Sequence, residues 1–261
     1  MSEHGKIIAC NWKSYLGVEE SISLAKSLSA YSKTHKELWR IIVAPSVVAL
    51  YKVGRILSST RIGLCAQNVN VESNGPYTGA MSFDSLRETG CKYVILGHSE
   101  VRSGKSLGIA ETDRIIADKL RTCIKEGINP ILCIGETLSE KEAGLTMKVL
   151  KRQLITDLDA LHDVNSNKIG LMIAYEPVWA ISSNGPSKSP DPAEINGIIM
   201  KLKKLLSYEF GHNVAPDVKF LYGGSVDNLN ISDYLGQNNI DGVLIGGMST
   251  NKSKIIEVLG R

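Results

Sequence analysis

The stretch LMIAYEPVWAISSNGPSKSP, Leu171 to Pro190, begins as an unbroken apolar run and meets a carboxylate at Glu176. It then passes through a proline and a tryptophan into a series of small residues. An apolar run this short and without alternation fits a strand buried on both faces, as in a parallel sheet. Extended back to IGLMIA, it is one of eight such runs. The others are KIIAC, RIIVA, RIGLCA, KYVIL, NPILCI, VKFLY and DGVLI.

Longer segments with helical spacing lie between them. Examples are Val18–Tyr31, Thr112–Glu126, Glu140–Leu161 and Ala193–Tyr208, with shorter ones at Ser82–Thr89 and Ser249–Leu259. In the last of these, Ser249 is placed to cap the helix start. Strand, loop and helix repeated eight times predict βαβ units, and 261 residues is the usual size of a (β/α)8 barrel. No Ser/Gly/Pro-rich linker divides the chain, so residues 1–261 read as one α/β domain. The 184–192 stretch has such a composition, but it falls inside a strand-to-helix connection. The competing fold, a doubly wound open sheet, favours GxGxxG after the first strand; here that strand is followed by NWKSYLG.

The hydrophobic fraction of 43% and charged fraction of 22% are those of a soluble globular protein with ample material for a core. A net charge of +3 suits a small anion, but an ordinary solvated surface accounts for it equally well. There is no basic block interleaved with aromatics of the kind that binds nucleic acid. No run approaches the length of a membrane span, and the start, MSEHGKIIACNWK, does not read as a secretory signal. The five cysteines, Cys10, Cys65, Cys91, Cys123 and Cys133, are scattered and lack CxxC spacing. Cys10, Cys65 and Cys133 sit inside apolar runs and read as small core residues, and a reducing, cytoplasmic setting is the expectation.

In a barrel, functional groups gather at the C-terminal ends of the strands. The first strand ends in Asn11 and Lys13, the fourth in LGHSE with His98 and Glu100, and the sixth in Glu176. The seventh ends YGGSV, with Gly223, Gly224 and Ser225; the eighth ends LIGGMS, with Gly246 and Gly247. Glycines on consecutive strands let backbone N–H groups approach a phosphate, although tight βα turns alone would also use them. A lone histidine or glutamate after a strand is often structural. An acid, an imidazole and an ammonium converging on one small phosphorylated ligand suit proton abstraction beside a carbonyl. The five histidines show no HxxxH or HxH pairing, so no metal is expected.

These motifs, with AQNV, NGPYTGAMS, YVILGHSE, CIGETL and AYEPVWAI in the same order, make nearly the whole chain resemble the triosephosphate isomerase family. The resemblance implies a (β/α)8 barrel that interconverts dihydroxyacetone phosphate and D-glyceraldehyde 3-phosphate through an enediolate, without cofactor or metal. That family is itself a standard illustration of a glutamate base paired with a neutral histidine. By resemblance, Glu176 is the base and His98 the neutral electrophile, its protonation disfavoured by the helix N-terminus that follows. Lys13 supplies positive charge, Asn11 holds that geometry, and Glu100 completes the polar network. Ser182, Ser225, Gly246 and Gly247 offer N–H groups to the phosphate. Pro177–Trp179 would form one hinge of a lid that excludes water.

Three departures from the family pattern stand out. The lid reads AISSNGPSKS where AIGTGKTA is typical, with Pro186 where the far hinge begins. Val101 replaces a usual arginine, and Ser14–Tyr15 replaces MN. The altered lid keeps open an isomerase for a slightly larger sugar phosphate. A non-catalytic phosphate-binding barrel is also open, although it would be expected to have lost the acid, imidazole or ammonium. A Schiff-base aldolase would need a lysine on a barrel strand, and Lys13 follows its strand. The resemblance also implies a homodimer through the loop VESNGPYTGAMS, with Tyr77 and Thr78 at its tip.

Overall fold

A computed structural model describes residues 5–35, 39–106, 108–163, 170–181, 189–211 and 217–260. Eight strands are found there: β1 Ile7–Asn11, β2 Arg40–Ala44, β3 Gly63–Ala66, β4 Tyr93–Leu96, β5 Asn129–Ile134, β6 Met172–Tyr175, β7 Lys219–Tyr222 and β8 Gly242–Ile245. Each lies within, or within a residue of, one of the eight apolar runs. All pair in parallel in chain order, and β8 closes on β1 with Ile7 opposite Gly242 and Ala9 opposite Leu244.

The strands have no polar face because both of their faces are covered. Ile7, Ala9, Ile42, Ala44, Ile95, Cys133, Met172, Ala174 and Leu244 pack as an inner cluster. Their neighbours Ile8, Cys10, Ile41, Val43, Leu96, Ile134, Ile173 and Val243 join the larger cluster under the helices. Period-two geometry splits each run between the barrel interior and the helical shell. The same parity carries past the strand ends. Asn11 continues the inward series Ile7, Ala9, and Glu176 continues Met172, Ala174.

Around the barrel run α1 Val18–Thr34, α2 Val47–Leu57, α3 Phe83–Thr89, α4 Ser99–Arg102, α5 Asp113–Glu126, α6 Leu138–Glu142, α7 Thr146–Asp157, α8 Pro192–Phe210, α9 Ile231–Leu235 and α10 Lys252–Leu259. Their boundaries follow capping chemistry. Thr112 accepts from Ile115 N–H at the start of α5, and Gly127, at φ 70°, ends it. At α8, Asp191 accepts from Ala193 N–H, with Pro192 in the first turn.

Two expectations are corrected. The segment read as one helix over Glu140–Leu161 is two helices and a 3₁₀ turn at Asp159–Asp163, broken after Ala143 where Gly144 takes a left-handed φ of 71°. Ser249 does not cap the last helix. It lies in a 3₁₀ turn, Gly247–Thr250, and its hydroxyl donates to Gly246 O at 2.7 Å. Asn251 caps α10, accepting from Lys254 N–H at 3.0 Å.

All five cysteines are free and buried, and burial pushes the Cys91 thiol up to about 11 and Cys10 to about 12. They are core atoms that stay protonated. No helix among the described residues is long and apolar enough to cross a membrane.

Candidate active site

At the C-terminal mouth of the barrel, Asn11, Lys13, His98, Glu176 and Gly246 line one small cleft, together with Ile181, Gly223, Gly224 and Leu244. The groups come from strands β1, β4, β6 and β8, with β7 supplying the two adjacent glycines. Each stands there because its strand ends at the same rim.

Glu176 is 2% exposed. Its backbone N–H donates to Ile134 O at 2.8 Å, extending the β5–β6 ladder one residue beyond the strand and fixing the base of the side chain. Its Oε2 accepts from Ser99 N–H at 3.2 Å, and its Oε1 lies 3.5 Å from His98 Nε2. Gly223 makes room for it: a Cβ there would stand 2.7 Å from Glu176 Cγ. Burial, and next the Glu176 carboxylate, hold the Cys133 thiol well above its ordinary range. That thiol therefore sits beside the acid as a neutral group.

His98 follows Gly97, whose φ of 67° turns the chain out of the strand direction. It occupies the N-cap position of α4, where its Nδ1 accepts from Glu100 N–H at 3.2 Å. A ring nitrogen that accepts an N–H carries no proton of its own. That leaves Nε2, the nitrogen that faces Glu176 and the cleft, as the ring's donor.

Lys13 is the one non-glycine residue with positive φ among those described, at 48°. Such a conformation costs free energy and persists where surrounding contacts enforce it. Asn11 Oδ1 accepts from Lys13 N–H at 3.0 Å, and Gln67 Nε2 donates to Lys13 O at 2.7 Å. So restrained, Lys13 sends its ammonium to Glu100 Oε1 at 3.0 Å. Glu100 thus stands behind the cleft, joining the ammonium to the histidine's helix.

The remaining expected residues are placed less uniformly. Gly247 opens its 3₁₀ turn next to Gly246, outside the cleft lining. Ser225 N–H donates to Ala180 O at 2.9 Å, tying the β7 loop to the turn after Glu176. Ser182, with Gly185 and Pro186 of the expected lid, lies outside the described residues. So does most of the segment whose alteration was noted in the sequence. Among the described residues, no group of three or more His, Cys, Asp and Glu side chains is arranged to hold a metal ion.

Sequence reasoning passed over Glu136. It is 1% exposed and accepts from Tyr175 OH at 3.1 Å and from Trp179 Nε1 at 3.0 Å, while its carbonyl accepts from Val178 N–H at 3.0 Å. This buried carboxylate anchors the 3₁₀ turn Val178–Ala180 that follows the acid. The signal was present: CIGETL places Glu136 just past β5, the position that marked the other site residues.

The chain matches the family model described as triosephosphate isomerase over residues 6–260. It is similar to the triosephosphate isomerase of Dictyoglomus thermophilum, 40% identical over 244 residues that cover 94% of each chain. It is 36% identical to that of Magnetococcus marinus over 97% of this chain and 96% of the relative. Against that of Aquifex aeolicus it is 35% identical over 97% and 98%.

Proposed function

The chain belongs to the triosephosphate isomerase family and interconverts dihydroxyacetone phosphate and D-glyceraldehyde 3-phosphate, and from that premise we propose which residues carry the reaction. Glu176 is the base. It removes a proton from the carbon beside the carbonyl and returns it to the neighbouring carbon, with an enediolate between. His98 donates from Nε2 to the substrate oxygens as negative charge develops on them. Lys13 lends positive charge to the phosphorylated substrate and to the enediolate, with Asn11 and Glu100 fixing its reach. Gly246, Gly247 and Ser182 offer backbone N–H groups to the phosphate, and Ser225 joins them by exchanging its bond to Ala180 O, at the mouth where barrels of this kind bind it.

One observation carries this assignment: the Glu176 carboxylate and Nε2 of His98 stand 3.5 Å apart in a cleft that Lys13 also lines. The carboxylate accepts from Ser99 N–H, a bond that orients it and that it gives up as it takes the substrate proton on that oxygen. The relatives named above are all triosephosphate isomerases, and nothing favours a larger sugar phosphate. Glycolysis is the setting that follows from the family.

The working form is a homodimer in the cytoplasm, the whole chain acting as one barrel domain without cofactor. Exposed Tyr15, Val47, Val48, Tyr51 and Tyr77 support the dimer, since they follow β1, β2 and β3 at one end of the barrel. A soluble monomer gains nothing from large apolar groups gathered there.

Glu176→Gln tests the central assignment. The amide keeps the shape and loses the basicity, so isomerisation measured by a coupled assay on both trioses should all but vanish. Binding of a phosphorylated ligand should persist. Parental turnover in this variant rules the assignment out.

A further inference from the structure

Lys141 lies in α6, outside the cleft, and no step described above uses it. Its ammonium stands 3.4 Å from the centroid of the Trp179 ring and 3.4 Å from Glu194 Oε1. Trp179 belongs to the turn that starts two residues after Glu176; Glu194 belongs to the first turn of α8. One ammonium therefore joins the segment leaving the base to the helix with which the described chain continues.

The indole is held from a second direction by Glu136, which takes its N–H at 3.0 Å. Face and edge are thus fixed by opposite charges on neighbouring segments, an arrangement that matches the quadrupole of the ring. Of the two Lys141 contacts, the one to the ring matters more. The Glu194 side chain is 47% exposed, and an ion pair so open to water contributes little by itself. Its part is to hold the ammonium over the indole. Nor does Lys141 support the core, because α6 buries none of its residues.

We propose that Lys141 is a positioning residue for the isomerisation. By holding the face of Trp179 it fixes the turn Val178–Ala180, and through that turn the direction in which Glu176 presents its carboxylate. This rests on Glu176 being the base. The phosphate-binding loops after β7 and β8 do not include Lys141, so its loss slows turnover and leaves substrate affinity alone.

Steady-state kinetics and tryptophan emission of Lys141→Met and Lys141→Arg test the proposal. Lys141→Met should lower kcat about fivefold with KM within about twofold of the parent, and should shift the emission. Lys141→Arg, whose guanidinium stacks on an indole and pairs with a carboxylate, should restore both. A parental kcat in Lys141→Met overturns the role, as does an equal loss in Lys141→Arg. Unchanged emission in Lys141→Met shows that the contact is absent in solution and overturns it as well. Glu176→Gln separates the two assignments. If that variant is inactive while Lys141→Met is parental, only the role of Lys141 falls.

Discussion

Gly223→Ala probes the space on which the proposed base depends. A Cβ built at Gly223 falls 2.7 Å from Glu176 Cγ, 3.4 Å from its Oε1 and 3.5 Å from Tyr175 O. The two longer distances are ordinary contacts and the first is a collision. The Glu176 methylene must retreat by the 0.7 Å that separates 2.7 Å from ordinary contact at 3.4 Å. Its backbone cannot follow, because Glu176 N–H is held by Ile134 O at 2.8 Å. The movement is therefore taken up in the side-chain torsions and displaces the carboxylate by about 1 Å, which in an aligned proton transfer costs on the order of 10²-fold in rate. Gly223 has no positive φ, so alanine introduces no backbone strain. It also restricts the unfolded chain, which offsets part of the collision to the extent of about 0.4–1 kcal/mol. Activity and stability should accordingly separate. A coupled assay should show kcat down about a hundredfold with KM little changed, while thermal unfolding stays close to the parent. Turnover within about threefold of the parent would refute the reasoning, since it would mean that the carboxylate tolerates displacement or is not the base.

Two further outcomes are expected. Asp157 is wholly buried, and burial, with a smaller push from the Asp113 carboxylate, moves its carboxyl up to about 7 despite Arg102 Nη2 at 2.5 Å from Oδ2. The folded protein then holds this proton more tightly than the unfolded chain. The stability it contributes is complete below pH 4 and is lost as pH rises to about 7. Asp157→Asn keeps the neutral form at every pH, so its urea midpoint relative to the parent should climb across that window. The steepest change is about 1.4 kcal/mol per pH unit, and parallel profiles would refute the account. At the proposed dimer face, Val48→Glu combined with Tyr77→Asp should raise the dimer dissociation constant by at least tenfold in sedimentation, as charge placed in an apolar interface does. An unchanged association state would remove this face as the interface.

Much of the barrel was legible because burial on both faces leaves a mark that needs no partner to be read. KIIAC and NPILCI are apolar after their first residue whichever strands flank them, and the pleat then dictates which atoms face inward. The same parity sends Asn11 and Glu176 into the mouth, and strand ends locate His98, Lys13 and the glycines after β7 and β8. Helix limits were legible where capping is local, as at Thr112 and Gly127. They were misread where a glycine chose between continuing and ending a helix, as at Gly144, and where Ser249 and Asn251 competed for one cap.

What the polymer's own letters determined, then, is the list of strands, their hidden faces and the chemical groups standing at their ends. Only tertiary packing decided the bond from Ser99 N–H to the Glu176 carboxylate, and the need for Gly223, set by a methylene from the neighbouring strand. It also decided the three contacts of Glu136 and the seat of Lys141 on Trp179. Each depends on distances between atoms that the chain brings together from separate βα units. Local preference constrains torsions within a few residues, whereas a hydrogen bond or a collision across the barrel exists only after the sheet has closed.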